Sequence, residues 1–264
     1  MTAPTQPQAL LPIEFDPPLL NPAPGGLYAA TRFVSDSTTE VPRWLASGVL
    51  VRPRIGNYGG GESVGIWDAP WCDTTPTQRK EGERPGLLDP FTPATVWAYA
   101  DACDMTEPER SVVEARALQN LRLIEPTLVE REFAARLLID AGTPVAAPDL
   151  VRAIGHLEGL FAKTNTLGLI HLNPELLAEL AHLNLVVRDG SGFAKSPAGH
   201  TYVLGGGYVA GLGRTLVATS QTFGWRDQPV TREALEPREG EYAVIAERSV
   251  VVGYEANLGA VTAA

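Results

Sequence analysis

Four histidines, two cysteines, one glycine-rich stretch and scattered carboxylates are the residues of this 264-residue chain whose types could carry chemistry. No pair among His156, His171, His182 and His200 has the i, i+4 spacing that sets two imidazoles on one helix face for a metal. His171 lies inside an apolar run, where a histidine reads as a hydrogen-bonded core residue. The stretch Gly205-Gly206-Gly207-Tyr208-Val209-Ala210-Gly211-Leu212-Gly213 has the glycines of a phosphate loop but not its Gly-Lys-Ser/Thr ending. No clear helix follows it to offer a positive N-terminus, so a loop or a close backbone approach is the reading. Ser191, in Gly190-Ser191-Gly192, is not set in a nucleophile elbow. Cys72 and Cys103 form no CxxC and no zinc spacing, and read as unpaired thiols. Glu233 and Glu236 read as a solvated face. The sequence therefore offers no catalytic, cofactor-binding or metal-binding residue, and we expect neither an enzyme nor a need for a cofactor.

The elements that would position such residues point to a large folded body with long extensions. Hydrophobic content of 44% and charged content of 20% are ordinary for a globular protein. The 26 glycines and 22 prolines exceed average usage and call for many loops and arms. The net charge of −10, with lysine only at positions 80, 163 and 195, disfavours strong nucleic-acid binding. No signal peptide and no apolar run of membrane-spanning length is evident.

Residues 1–26 hold seven prolines, which fix φ and remove backbone donors, so an extended arm is expected. Its apolar residues, Leu10, Leu11, Ile13, Phe15, Leu19 and Leu20, need a surface, either the chain's own body or a neighbour. Val49, Val51 and Ile55, then the Asn57–Gly61 tip, then Val64 and Ile66, read as a hairpin with a long glycine loop. A polar loop, 73–86, follows it. Thr106 and Glu109 have capping-box spacing. From there to residue 140 the apolar positions Leu118, Leu121, Ile124, Leu128, Val129, Phe133 and Leu137 predict a one-sided helix of about 50 Å. Pro126 should kink or interrupt it, and Gly142 should end it.

Beyond residue 147 the pattern is a helix with Leu150, Ile154, Leu157 and Phe161 on one face, then a strand over 167–172. Asn173-Pro174 starts a second helix and a strand over 183–187 follows, which together describe a compact α/β unit. Residues 203–263 read as strands, with Tyr242, Val244, Ala246, Val250, Val252 and Tyr254 on one face.

This order of elements resembles the major capsid proteins of tailed bacteriophages. The stretch Phe161 to Glu179 (FAKTNTLGLIHLNPELLAE) is similar to actinobacterial-phage capsid sequences. Gly205 to Tyr208, Ala246-Glu247-Arg248 and Val250 to Tyr254 add to the resemblance, which covers nearly the whole chain in order. It implies an α+β, L-shaped subunit of the tailed-phage major capsid fold: an N-terminal arm (1–26), a connection (27–47), a protruding β-hairpin loop (48–86), and a peripheral strand with the long spine helix (87–143). An axial α/β domain (144–212) and peripheral β-sheet strands (213–264) complete it. Encapsulins share the fold, but the proline-rich start lacks their amino-terminal helix.

The function implied is self-assembly into hexamers and pentamers of an icosahedral head around double-stranded DNA. The partners implied are further copies of itself, with a separate scaffolding, decoration or portal protein, and only weak contact with packaged DNA. No membrane is involved, and the location is the virion, assembled in the host cytoplasm. Some shells of this fold are joined by lysine–asparagine isopeptide bonds, for which Lys80, Asn57 and Asn257 are the available residues, although a solvated loop lysine is the ordinary reading of Lys80. Arg52 and Arg54 are placed for rim ion pairs with an adjacent subunit. The alternatives are a small-molecule enzyme with its site in 144–212, distinguished by oligomeric state, and a minor head protein, distinguished by copy number.

Overall fold

A computed structural model describes residues 15–34, 43–52, 57, 63–68, 71–72, 79–82, 86–103, 106–188, 190, 192–236, 238 and 240–264. In chain order the elements are α1 (Gly26–Ala30), β1 (Thr31–Phe33), α2 (Arg43–Ser47), β2 (Ala94–Ala102), α3 (Glu107–Ala141), β3 (Val145–Ala147) and α4 (Leu150–Thr164). Then come β4 (Leu169–Leu172), a 3-10 turn (Pro174–Leu176), α5 (Leu177–His182), β5 (Val187–Arg188), β6 (Ala194–Lys195), β7 (Thr201–Leu204) and α6 (Tyr208–Gly211). The chain closes with β8 (Thr215–Thr219), β9 (Thr222–Arg226), β10 (Val230–Glu236), β11 (Glu241–Tyr254) and β12 (Asn257–Ala263).

The strands build two sheets. One has the order β1-β9-β11-β10, with β2 on the opposite edge of β11; the other runs β3-β12-β8-β4-β7-β6-β5. The long helix α3 lies between them. One side of it covers β2 and β11, and the other meets β12, β8 and α6. Helix α4 covers the far face of the second sheet. Strand β4 is therefore buried on both faces: Leu169 and His171 look toward α3, and Ile170 and Leu172 join the core beneath α4. A strand enclosed this way reads as a continuous apolar run.

Helix α3 runs without interruption through Pro126 and stops at Gly142, whose φ of +67° suits glycine. Thr106 has the extended N-cap backbone, but its side chain makes no capping bond. The neighbouring carboxylates turn to arginines instead, Glu107 to Arg110 at 3.0 Å and Glu109 to Arg116 at 3.9 Å. The buried face repeats every fourth residue, through Val113, Ala117, Leu121, Glu125, Val129, Phe133 and Leu137. Leu118 and Ile124, expected on that face, are exposed. Helix α4 follows its sequence pattern closely: Asp149 accepts the Arg152 N–H at 2.7 Å, and Leu150, Ile154, Leu157 and Phe161 are all buried.

Four further expectations need correcting. First, β8 and β12 do not share the sheet of β2, where residues 214–262 are expected; they sit in the second sheet with β4. The chain crosses between sheets at Ser220–Gln221 and again at Glu255–Ala256. Ser220 ties the two crossings together, its Oγ accepting the Glu255 and Ala256 N–H groups at 2.9 and 3.1 Å. Second, the strand expected over 183–187 shrinks to Val187–Arg188, because Leu183 and Asn184 close α5, Asn184 at a φ of +57°. Third, the stretch 205–213 is not all loop, because a single helical turn, α6, forms within it at Tyr208–Gly211. Fourth, Val49 pairs with Phe91 rather than across the glycine tip, and Ser63–Asp68 runs without a ladder. Residues 53–56 and 58–62 of that expected hairpin lie outside the described residues, as do arm residues 1–14. Among the described residues, Ser63–Asp68 joins neither sheet.

Candidate assembly surfaces

Three polar nodes on α3 fix what packs on it. At the first, Glu130, only 2% exposed, accepts the Leu27 N–H at 2.8 Å and the Gly207 N–H at 3.1 Å. Burial raises its pKa, and those backbone donors pull the other way. At the second, Tyr28 donates to Glu125 at 2.6 Å, and Arg248 approaches the same carboxylate at 3.3 Å. Burial, then the Glu125 charge, hold the Tyr28 hydroxyl far above its ordinary pKa. At the third, Asp140 pairs with Arg136 at 2.8 Å and accepts from Tyr254 at 2.6 Å. A charge this deeply buried costs several kcal/mol unless it is paired, and each of these carboxylates has its donors.

These nodes hold the base of the N-terminal segment but not its outer part. Gln119 donates to the Leu20 carbonyl at 2.7 Å, and Arg122 donates to Asn21 Oδ1. Ahead of them Phe15, Leu19 and Leu20 face solvent. The segment docks on its own body from Leu20 inward, and leaves apolar side chains uncovered beyond it.

The loop region behaves likewise. Val64 and Ile66 alternate along an extended run and are exposed, Ile66 at 93%, while Trp71 is 97% exposed. Lys80 stacks over the Trp67 ring, 4.8 Å from its centroid, and Asn57 donates to Glu255 at 2.9 Å. Facing outward on the body, β2 uses one edge for β11 and has no strand partner on the other among the described residues. That open edge borders a cleft of about 780 Å³ whose walls include Phe91, Val96 and Trp97 with Ile124, Leu128 and Arg136 of α3. An open edge beside an apolar cleft is where a further extended segment can add.

The residues considered for chemistry do not converge. His171 is fully buried between Tyr208 at 2.9 Å and Thr219 at 2.8 Å, and burial pushes its pKa down to about 3. His200 stacks on Phe161 with centroids 4.1 Å apart. His156 and His182 are exposed on different helices. Cys72 and Cys103 are free and exposed, and Ser191 lies outside the described residues. Glu233 is engaged by the Tyr242 hydroxyl at 2.7 Å rather than simply solvated. The glycine stretch is a close approach: a Cβ on Gly207 would overlap Thr127 O and Arg131 N of α3. Asn257 donates to the Leu137 carbonyl at 3.0 Å. Arg52 is exposed, and Arg54 lies outside the described residues. Among the described residues no three His, Cys, Asp or Glu side chains are grouped to hold a metal, and no helix is long and apolar enough to cross a membrane. Sequence reasoning missed Glu125 and Glu130, since a glutamate in a helix ordinarily reads as solvated.

No protein-family model matches this chain, and no curated protein matches it in sequence. Solved structures do. A chain from Microbacterium phage Oxtober96 superposes with a TM-score of 0.51 at 12% identity, covering 97% of this chain and 96% of that one. The capsid of an empty GTA particle superposes with a TM-score of 0.52 at 11% identity, covering 98% of this chain and 94% of the other. The chain has the tailed-phage capsid fold. We refer to α3 as the spine helix, to β2 with β9–β11 as the peripheral sheet, and to the second sheet with α4 and α5 as the axial unit. The open β2 edge and its cleft belong to the peripheral side of this capsid fold, and the glycine turn 205–207 joins the axial unit to the spine.

Proposed function

We propose that this chain is the shell-forming major capsid subunit of a tailed, double-stranded-DNA phage, assembling as hexamers and pentamers into an icosahedral head. One observation carries the reading: a body with two filled cores bears, among its described N-terminal residues, large apolar side chains at Phe15, Leu19, Leu20, Val64 and Ile66 that its own fold leaves exposed. Shared burial is the driving force, at roughly 25 cal/mol for each Å² of apolar surface removed from water. The arm beyond Leu20 and the run Ser63–Asp68 supply extended apolar segments. The β2 edge with its cleft offers a surface that accepts one. Arg52 adds a rim charge that selects a partner more than it strengthens the contact.

The role is structural rather than catalytic. Its partners are further copies, with a separate scaffolding, decoration or portal protein, and the acidic balance keeps contact with packaged DNA weak. Its place is the virion, after assembly in the host cytoplasm. The test is expression of the chain alone, followed by size-exclusion chromatography and negative-stain electron microscopy. Shells, capsomer rings or tubes support the reading. A monodisperse monomer contradicts it and favours a small-molecule enzyme.

A further inference from the structure

A single buried carboxylate on the spine helix is shared by two segments far apart in sequence. Glu130 Oε1 accepts the Leu27 N–H at the base of the arm, and its Oε2 accepts the Gly207 N–H in the turn that leads out of the axial sheet. Among the described residues no basic side chain lies within 4 Å of it, so these backbone donors are what balance its charge. Both segments come close because they are glycine there. A Cβ on Gly26, which has a φ of +80°, or on Gly205 would overlap the Glu130 carboxylate. Gly26 and Gly205 also face each other, since the Cβ built on Gly26 would lie 3.6 Å from Gly205 Cα.

We propose that Glu130 is the positioning residue that couples the direction in which the arm leaves the subunit to the seating of the axial unit on the spine. With no cation to hold it, the carboxylate sits where the N–H groups of Leu27 and of the 206–207 turn place it. A displacement of α1 moves the acceptor that Gly207 uses, and a displacement of the 205–207 turn moves the acceptor that Leu27 uses. Two segments that share one acceptor bias each other reciprocally. The neighbouring charged groups are committed elsewhere: Glu125 to Tyr28 and Arg248, Arg131 to Glu132, and Asp140 to Arg136. In particles, the consequence is that a neighbour drawing on the arm reorients the axial unit. That consequence rests on the shell reading; the coupling itself does not.

Hydrogen exchange on the free, unassembled subunit tests the coupling without requiring shells. Peptides covering 26–33 and 204–212 are followed in wild type, Gly26→Ala, Gly205→Ala and Glu130→Gln, and in each glycine variant combined with Glu130→Gln. Each glycine substitution is expected to speed exchange in both peptides, by roughly tenfold at the distant one, while peptides within 150–164 keep wild-type rates. Glu130→Gln presents an NH2 donor toward one of the two N–H groups, and should loosen both segments and abolish the transmitted effect. Exchange that rises only in the peptide carrying the substitution overturns the proposal. So does a transmitted effect that survives Glu130→Gln. If a glycine variant does not fold, Glu130→Gln against wild type still decides: loosening of one segment alone overturns the coupling.

Discussion

In the axial unit, Leu150, Ile154, Leu157 and Phe161 of α4 all disappear against the second sheet, together with Ile170, Leu172, Leu216 and Val261. Between residues 15 and 72 the same kinds of side chain stand in solvent, among them Phe15, Leu19, Leu20, Val64, Ile66 and Trp71. One region settles its burial within the subunit and so fixes the shape of the subunit. The other leaves apolar side chains exposed, and on the proposed reading contact between subunits completes their burial.

The largest expected effect separates the two regions outright. Deleting residues 1–24 should leave a subunit with wild-type circular dichroism that no longer forms closed shells, as seen by negative-stain microscopy. Normal particles from the truncated chain would remove the arm from the account. A paired substitution sharpens the contrast. Phe161→Ala, in the axial core and against His200, should cost about 3–5 kcal/mol in urea unfolding of the free subunit. Ile66→Ala should change that stability by no more than about 0.5 kcal/mol while reducing particle yield. Equal losses of stability at both positions would erase the distinction.

A smaller effect concerns the interior alone. His171 is held neutral, with its pKa lowered from 6.5 to about 3 by burial. The unfolded chain therefore takes up this proton more readily than the folded one. The stability this contributes is complete above about pH 6.5 and is lost as the pH falls toward 3, by at most about 1.4 kcal/mol per pH unit. His171→Gln should flatten that part of the pH dependence in urea titrations. An unchanged slope would mean that other groups carry it.

How much of this was legible in the sequence follows from local physics. Helix α4 could be read because its cap, its one-sided apolar spacing and its left-handed stop at Asn165 all act within a few residues. The sheet membership of β8 and β12 could not be read. Strand β8 is buried on both faces and carries no alternation to mark a side, and the crossings depend on Ser220 meeting Glu255 and Ala256 across more than thirty residues of chain. The glycines at 205–207 did signal a close backbone approach, but not its partner, because Glu130 is 77 residues away. For the assembly surfaces, the arm's composition announced apolar residues in need of cover. The exposure of Phe15, Leu19 and Leu20, and the open β2 edge that could receive such a segment, became visible only once the fold was in place.

The central claim is that neighbours complete the burial this subunit leaves open. Hydrogen exchange compared between dissociated subunits and assembled particles tests it directly. The account predicts that protection rises on assembly within residues 15–24, along Ser63–Asp68 and at the open edge of β2, while α4 and β4 exchange alike in both states. Particles in which those segments exchange as fast as in the free subunit would contradict it.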